Sequence, residues 1–188
     1  MRKDSGDKER MEKKRSNRSI PDIPERARWE IAAGIASSLP GMYYSLFHPV
    51  VGKGYDHLEE EIWQQLAREA GDVARTYGFP VGSAGEVAAA VSEIASIFFG
   101  PRYGTEVIDL SSESAVIIVK HCPFLKNAHQ PGMNTESLFH GCMAFSVLAI
   151  HQINPQFSVR FVRSVCMGDR TCELKIAPRE IIEREISR

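Results

Sequence analysis

No stretch of this chain is apolar for long enough to span a bilayer, which takes about 20 consecutive residues. A second absence is net charge: 23 Lys and Arg against 24 Asp and Glu leave −1, so no global field favours nucleic acid. Missing too are a phosphate-cradling P-loop, a Gly-rich dinucleotide fingerprint and an HExxH metal motif. Cysteine is scarce, with four residues in 188, and all four fall in the C-terminal half.

What charge there is lies unevenly. Residues 1–18 hold eight Lys/Arg and four Asp/Glu, so the rest of the chain is mildly acidic. That balance argues against a nucleic-acid-binding face on the folded part. The segment "MRKDSGDKERMEKKRSNRS" has too few apolar residues to order itself, and it lacks the apolar core of a secretion signal. The expectation is a disordered charged tail over 1–20, one domain over 21–188, and a cytoplasmic address. In a reducing compartment the cysteines are expected as thiols or metal ligands rather than disulfides.

Along the chain, Trp29, Ile31, Ala32 and Ile35 mark a short helix that Leu39-Pro40 should end. A second short helix should break at His48-Pro49. A long helix is expected from Asp56 to Tyr77 with Leu58, Ile62, Leu66, Val73 and Tyr77 as its apolar stripe, stopped by Gly78. Another follows from Ser83 to Phe99, ended by Gly100-Pro101. "TEVIDL" and "ESAVIIVK" then alternate as strands around a Ser111-Ser112 turn. A helix from Asn134 to Gln152 is apolar almost all round, and "QFSVRFVRSVC" and "TCELKI" form a closing pair of strands. Pro178 opens a short last helix. The pattern is an α+β fold: N-terminal helices followed by β-β-α-β-β, a four-stranded mostly antiparallel sheet with helices packed on one side.

The segment with most chemistry is "SVCMGDRTCELKI". Cys166 and Cys172 flank a turn in which Gly168 permits positive φ and Asp169 can bind the turn backbone. Two thiolates are half of a tetrahedral zinc site. Cys122 and Cys142 are the candidates to complete it, with His121 and His140 behind them. Against this stands simple packing, since free cysteines are among the most buried residues. His121 beside Cys122 in "KHCPF" suggests a nucleophilic pair only where the backbone is irregular, because neighbours on a strand face opposite ways. Asp109, Glu113 and Glu173 are strand carboxylates expected to face solvent. Trp29, Tyr43, Tyr44, Phe47, Trp63, Phe98, Phe99, Phe139 and Phe145 supply either core or the wall of an apolar pocket.

"HCPF", the helix carrying "HGCMAF", and "INPQFSVRFVRSVCMGDRTCELKI" together resemble the 4-vinyl-reductase-type small-molecule-binding domain. They resemble also its relative, the L-2-amino-thiazoline-4-carboxylic acid hydrolase-like family. The match covers residues 103–177. It implies an α+β ligand-binding domain, often a homodimer, with a chamber for a small apolar or heterocyclic ligand. It implies further that Cys142, Cys166 and Cys172 hold zinc or another thiophilic metal beside that chamber, with Cys122 as the fourth ligand. The hydrolase-like relatives carry acidic residues after the helix cysteine. Here "MAFSVLAI" has none, which argues against inherited hydrolysis of a cyclic amidine. Three functions stand as expectations. They are a sensor-like binding domain with a cysteine metal site, a hydrolase of a small C–N ring compound such as L-2-amino-thiazoline-4-carboxylate, and a dimeric assembly module.

Overall fold

A computed structural model describes residues 22–127 and 135–187. The charged tail expected over 1–20, and Asn134 at the start of the apolar helix, lie outside the described residues. Three helices come first: α1 (Glu25–Val51), α2 (Gly54–Tyr77) and α3 (Ala84–Phe99). Strands β1 (Gly104–Ser111) and β2 (Ser114–His121) follow, then a one-turn α4 (Pro123–Asn127) and the apolar α5 (Thr135–Ile153). Strand β3 (Phe157–Arg163), a 3-10 turn (Val165–Met167), β4 (Cys172–Pro178) and α6 (Arg179–Ile186) complete the chain. The order matches the α+β reading.

The sheet runs β1-β2-β4-β3 with every neighbouring pair antiparallel. Its inner face, Ala115, Ile117, Val159, Leu174 and Ile176, packs on Val87, Val91 and Ile94 of α3 and on Phe145, Ala149 and Ile150 of α5. Ile94, Ile150 and Ile176 are fully buried, and each such side chain contributes about 1.5–3 kcal/mol. The opposite face carries ion pairs, Lys120 with Glu106 at 2.8 Å and Arg163 with Glu173 at 2.8 Å. Glu185 of α6 reaches Arg160 and Lys175 on that same face.

Helix α3 begins with a capping box: Ser83 accepts from the Glu86 N–H, and the Glu86 carboxylate accepts from the Ser83 N–H. Helix α2 ends where expected, at Gly78 in the left-handed conformation (φ +66°).

The first helix departs from expectation. It continues through both Pro40 and Pro49 as one element of 27 residues. A proline removes only its own N–H and strains one earlier carbonyl, a loss the packed inner face of α1 offsets. That inner face is built of small residues and one ring: Ala33, Ser37, Gly41 and Tyr44. The larger apolar residues, Ile31, Ile35, Met42, Leu46, Phe47 and Val50, point outward.

The stripe on α2 is also shifted. Tyr55, Glu59, Trp63, Ala67, Ala70 and Ala74 are buried, whereas Leu58, Ile62 and Tyr77 are exposed. The helix packs closely on α5 and therefore presents its small side chains there. The two run parallel, with Ser137 donating to Glu59 at one end and Arg75 donating to the Gln152 carbonyl at the other.

Candidate functional site

The hairpin between β3 and β4 is set by its own backbone. Gly168 takes φ +100°, a conformation side-chain-bearing residues avoid. The Asp169 carboxylate accepts from the Ser164 N–H at 2.8 Å, and the Asp169 N–H donates to the Ser164 carbonyl at 3.1 Å. This closed turn carries Cys166 on the 3-10 segment and Cys172 at the first position of β4. The Val165 N–H points at the Cys172 sulfur at 3.3 Å.

Cys166 and Cys172 line a small chamber, and so do Cys122, just after β2, and Cys142, on α5. All four cysteines of the chain therefore face one space. Aromatic rings wall it edge to face, with Phe99 against Phe124 at 4.9 Å, Phe99 against Phe145 at 5.3 Å and Phe139 against Phe161 at 5.3 Å between centroids. Trp63 closes another side, 5.4 Å from Phe124. Val119 and Leu174 form the sheet side. The chamber is about 50 Å³; by the same measure a single water needs ~10–15 Å³, so a few atoms fill it.

The thiols sit in apolar surroundings and on each other's fields. Burial pushes Cys142 far up from the ordinary thiol range, and neighbouring Cys122, Cys172 and Cys166 push it further. Cys142 nevertheless remains an exposed residue, whereas Cys122, Cys166 and Cys172 are half-buried. Burial raises Cys122 as well, with a further rise from Cys172. Cys166 is pushed up to about 11 by burial and then by Cys122 and Cys172. Tyr103 lines the chamber too, and burial holds its phenol protonated well above the usual range, with Cys142, Cys122 and Cys172 adding to the shift. Near neutral pH Cys122, Cys142, Cys166 and Tyr103 are accordingly uncharged.

Among the described residues, no three His, Cys, Asp or Glu side chains come close enough together to hold a metal ion. The donor set suits a thiophilic ion, and the spacing shown would have to tighten to ligate one. Among the described residues, no His, Asp or Glu lines the chamber, so none of these supplies a general base to the thiols. His121, at the end of β2, is exposed and lies against Gly104. His140 and His151 do share one face of α5, where they line a separate open cleft between α2 and α5, and His151 there meets Arg179. Asp109 and Glu113 are exposed. Glu173 pairs with Arg163 on the sheet face away from the chamber.

No family model and no curated protein matches the chain. A solved structure does. Its fold is similar to that of a trafficking protein particle complex subunit 3 from Naegleria fowleri, crystallised covalently bound to palmitic acid. The TM-score is 0.54 at 13% identity, over 82% of this chain and 97% of that one. The likeness is one of fold. It supports the α+β architecture described above.

Of the aromatic residues expected to line a pocket, Trp63, Phe99, Phe139 and Phe145 do so, while Trp29, Tyr43 and Phe47 lie exposed on α1. Tyr103, Phe124 and Phe161 went unseen in the sequence. For Tyr103 the hairpin pattern offered no usable signal: the register shifts between Gly104 and Thr105, and the regular register beyond the turn would have set Tyr103 opposite His121.

Proposed function

We propose that this chain is a small-molecule-binding, sensor-like domain of the vinyl-reductase type, and that its binding site is the thiol-lined chamber. The observation that carries the reading is the convergence of four cysteines from three separate places in the chain on one apolar space. Core packing alone would scatter such residues among several contacts. The resemblance over residues 103–177 points the same way. The domain works in the cytoplasm, where the thiols stay reduced, and as a homodimer.

The occupant is a small apolar or heterocyclic molecule, or zinc or another thiophilic metal drawn in by the four sulfurs. The similar fold of the palmitate-bound trafficking subunit is compatible with an acyl occupant. Ligand pockets of that size run to ~300–1,000 Å³, however, so a long chain would enter this 50 Å³ space only after it opened.

Two measurements on the purified full chain test the reading. Cadmium, which reports thiolate ligation by ultraviolet charge-transfer absorption, is expected to bind once per chain and to release protons. Cys166→Ser/Cys172→Ser should abolish that band. Native mass spectrometry reads any retained metal or organic molecule directly. A chain that takes up no metal and carries no bound molecule, with chamber variants unchanged in both respects, would sink the proposal.

A further inference from the structure

Helix α1 is apolar on two opposite sides. Its inner side is occupied by the small residues that meet α3, and its outer side holds the large ones. Ile31, Ile35, Met42, Leu46 and Val50 are spaced by four, seven, four and four residues, which stacks them along one side of a 3.6-residue helix. Ile35 is 58%, Leu46 65% and Val50 83% exposed. Tyr43 and Phe47, also exposed, border this face on α1.

We infer that this face is the contact between two copies of the chain. The inference rests on the homodimer reading above and assigns the surface that makes it. Seven side chains of this size, about half exposed, offer on the order of 90 Å² each, or roughly 600 Å² in all; a standard interface takes ~600–1,000 Å² from each partner. A monomer seldom leaves so large an apolar patch in water.

The chemistry of the face selects a copy of itself. From Ile31 to Gly52 there is no Asp, Glu, Lys or Arg, so a two-fold contact brings no like charges together. A charged partner finds nothing to pair with there. A helix lying on a membrane surface carries Lys and Arg around its apolar side, and this segment has none. The chain's own N-terminal residues 1–20 include only Met1, Met11 and Ile20 as large apolar side chains and cannot cover such a face. The apolar helix α5 is a weaker candidate: Met143 and Val147 are its exposed large apolar residues, on a cleft shared with His140, His151 and charged side chains of α2.

Sedimentation of the full chain at micromolar concentration tests the assignment. The wild type is expected as a dimer. Ile35→Glu/Leu46→Glu and Ile35→Lys/Leu46→Lys should each weaken association at least a hundredfold, and mixing the two should restore a dimer by opposite charge. Leu110→Glu, equally exposed but on the β1 edge, should leave the dimer intact. If the charged variants lose their circular dichroism, Ile35→Ser/Leu46→Gln is read in the same way. Charged variants that remain dimeric would overturn the α1 face while sparing the homodimer reading. A monomeric wild type would overturn both. A monomeric wild type that floats with phosphatidylcholine vesicles would in addition assign the face to a membrane surface.

Discussion

The single residue that best reports the chamber is Cys166. Its thiol is pushed up to about 11 in the folded chain, chiefly by burial, whereas an unfolded thiol ionises near pH 8.5. A raised acid pKa means that its stabilising contribution is complete below the unfolded value. It is lost as pH rises from there through the folded value. Urea midpoints measured from pH 8 upward should therefore fall, and Cys166→Ala should reduce the slope while lowering stability at pH 7 only modestly. Equal slopes in the two proteins would show that Cys166 is not shielded. Glu59 gives a second test with the same sign at lower pH. It is only 7% exposed, and burial raises its carboxyl pKa even though Ser137 donates to it at 2.8 Å. Its neutral form fits the folded state best, so stability is lost as pH rises through the folded value. Glu59→Gln, which keeps an acceptor for Ser137, should raise the melting temperature at pH 7 and flatten its dependence above pH 5. Residue roles of this kind were partly legible in sequence. Gly168 and Asp169 act in the turn as their chemistry demands. The burial of Glu59 was not legible, because "EEE" reads as a solvated face until the partner helix is known.

At the scale of elements, α2 and α5 show why stripes of large apolar residues misled. Packing between these helices depends on small residues that let the backbones approach. A Cβ at Gly141 would lie 2.2 Å from the Trp63 indole nitrogen and within 2.8 Å of two further ring atoms. Gly141→Ala is expected to cost about 1–3 kcal/mol through overpacking and to displace the indole that hydrogen-bonds Glu59. Chemical denaturation gives the first quantity, and a shift in tryptophan emission reports the second. No change in either would mean that the helices separate freely. Helix existence and the ends of α2 and α3 were readable, since Gly78, Ser83 and Gly100 are local signals. The continuity of α1 through Pro40 and Pro49 was not readable. Proline acts locally against the helix, and the packing of Ala33, Ser37 and Gly41 that outweighs it is a tertiary fact.

For the whole molecule, the four-stranded α+β architecture followed from the order of patterns, but the pairing of β2 with β4 joins segments more than fifty residues apart. That pairing is what carries Cys172 to Val119 and so toward Cys122. The chamber is thus a product of topology, and its half-buried thiols should respond to topology together. Cys142 is exposed, whereas Cys122, Cys166 and Cys172 are half-buried in the chamber lining. A bulky maleimide can therefore modify Cys142 first, and it reaches the other three fully only when the chamber opens; the first adduct among them prevents it from closing. Alkylation of the native protein is expected to give one fast adduct and then three slow ones that accelerate in urea below the unfolding midpoint and arrive together. Intact-mass spectra during the slow phase should show singly and fully modified chains, with few carrying two or three adducts. A ladder of doubly and triply modified chains would mean instead that Cys122, Cys166 and Cys172 open to solvent independently, and a shared chamber could not then be their common environment.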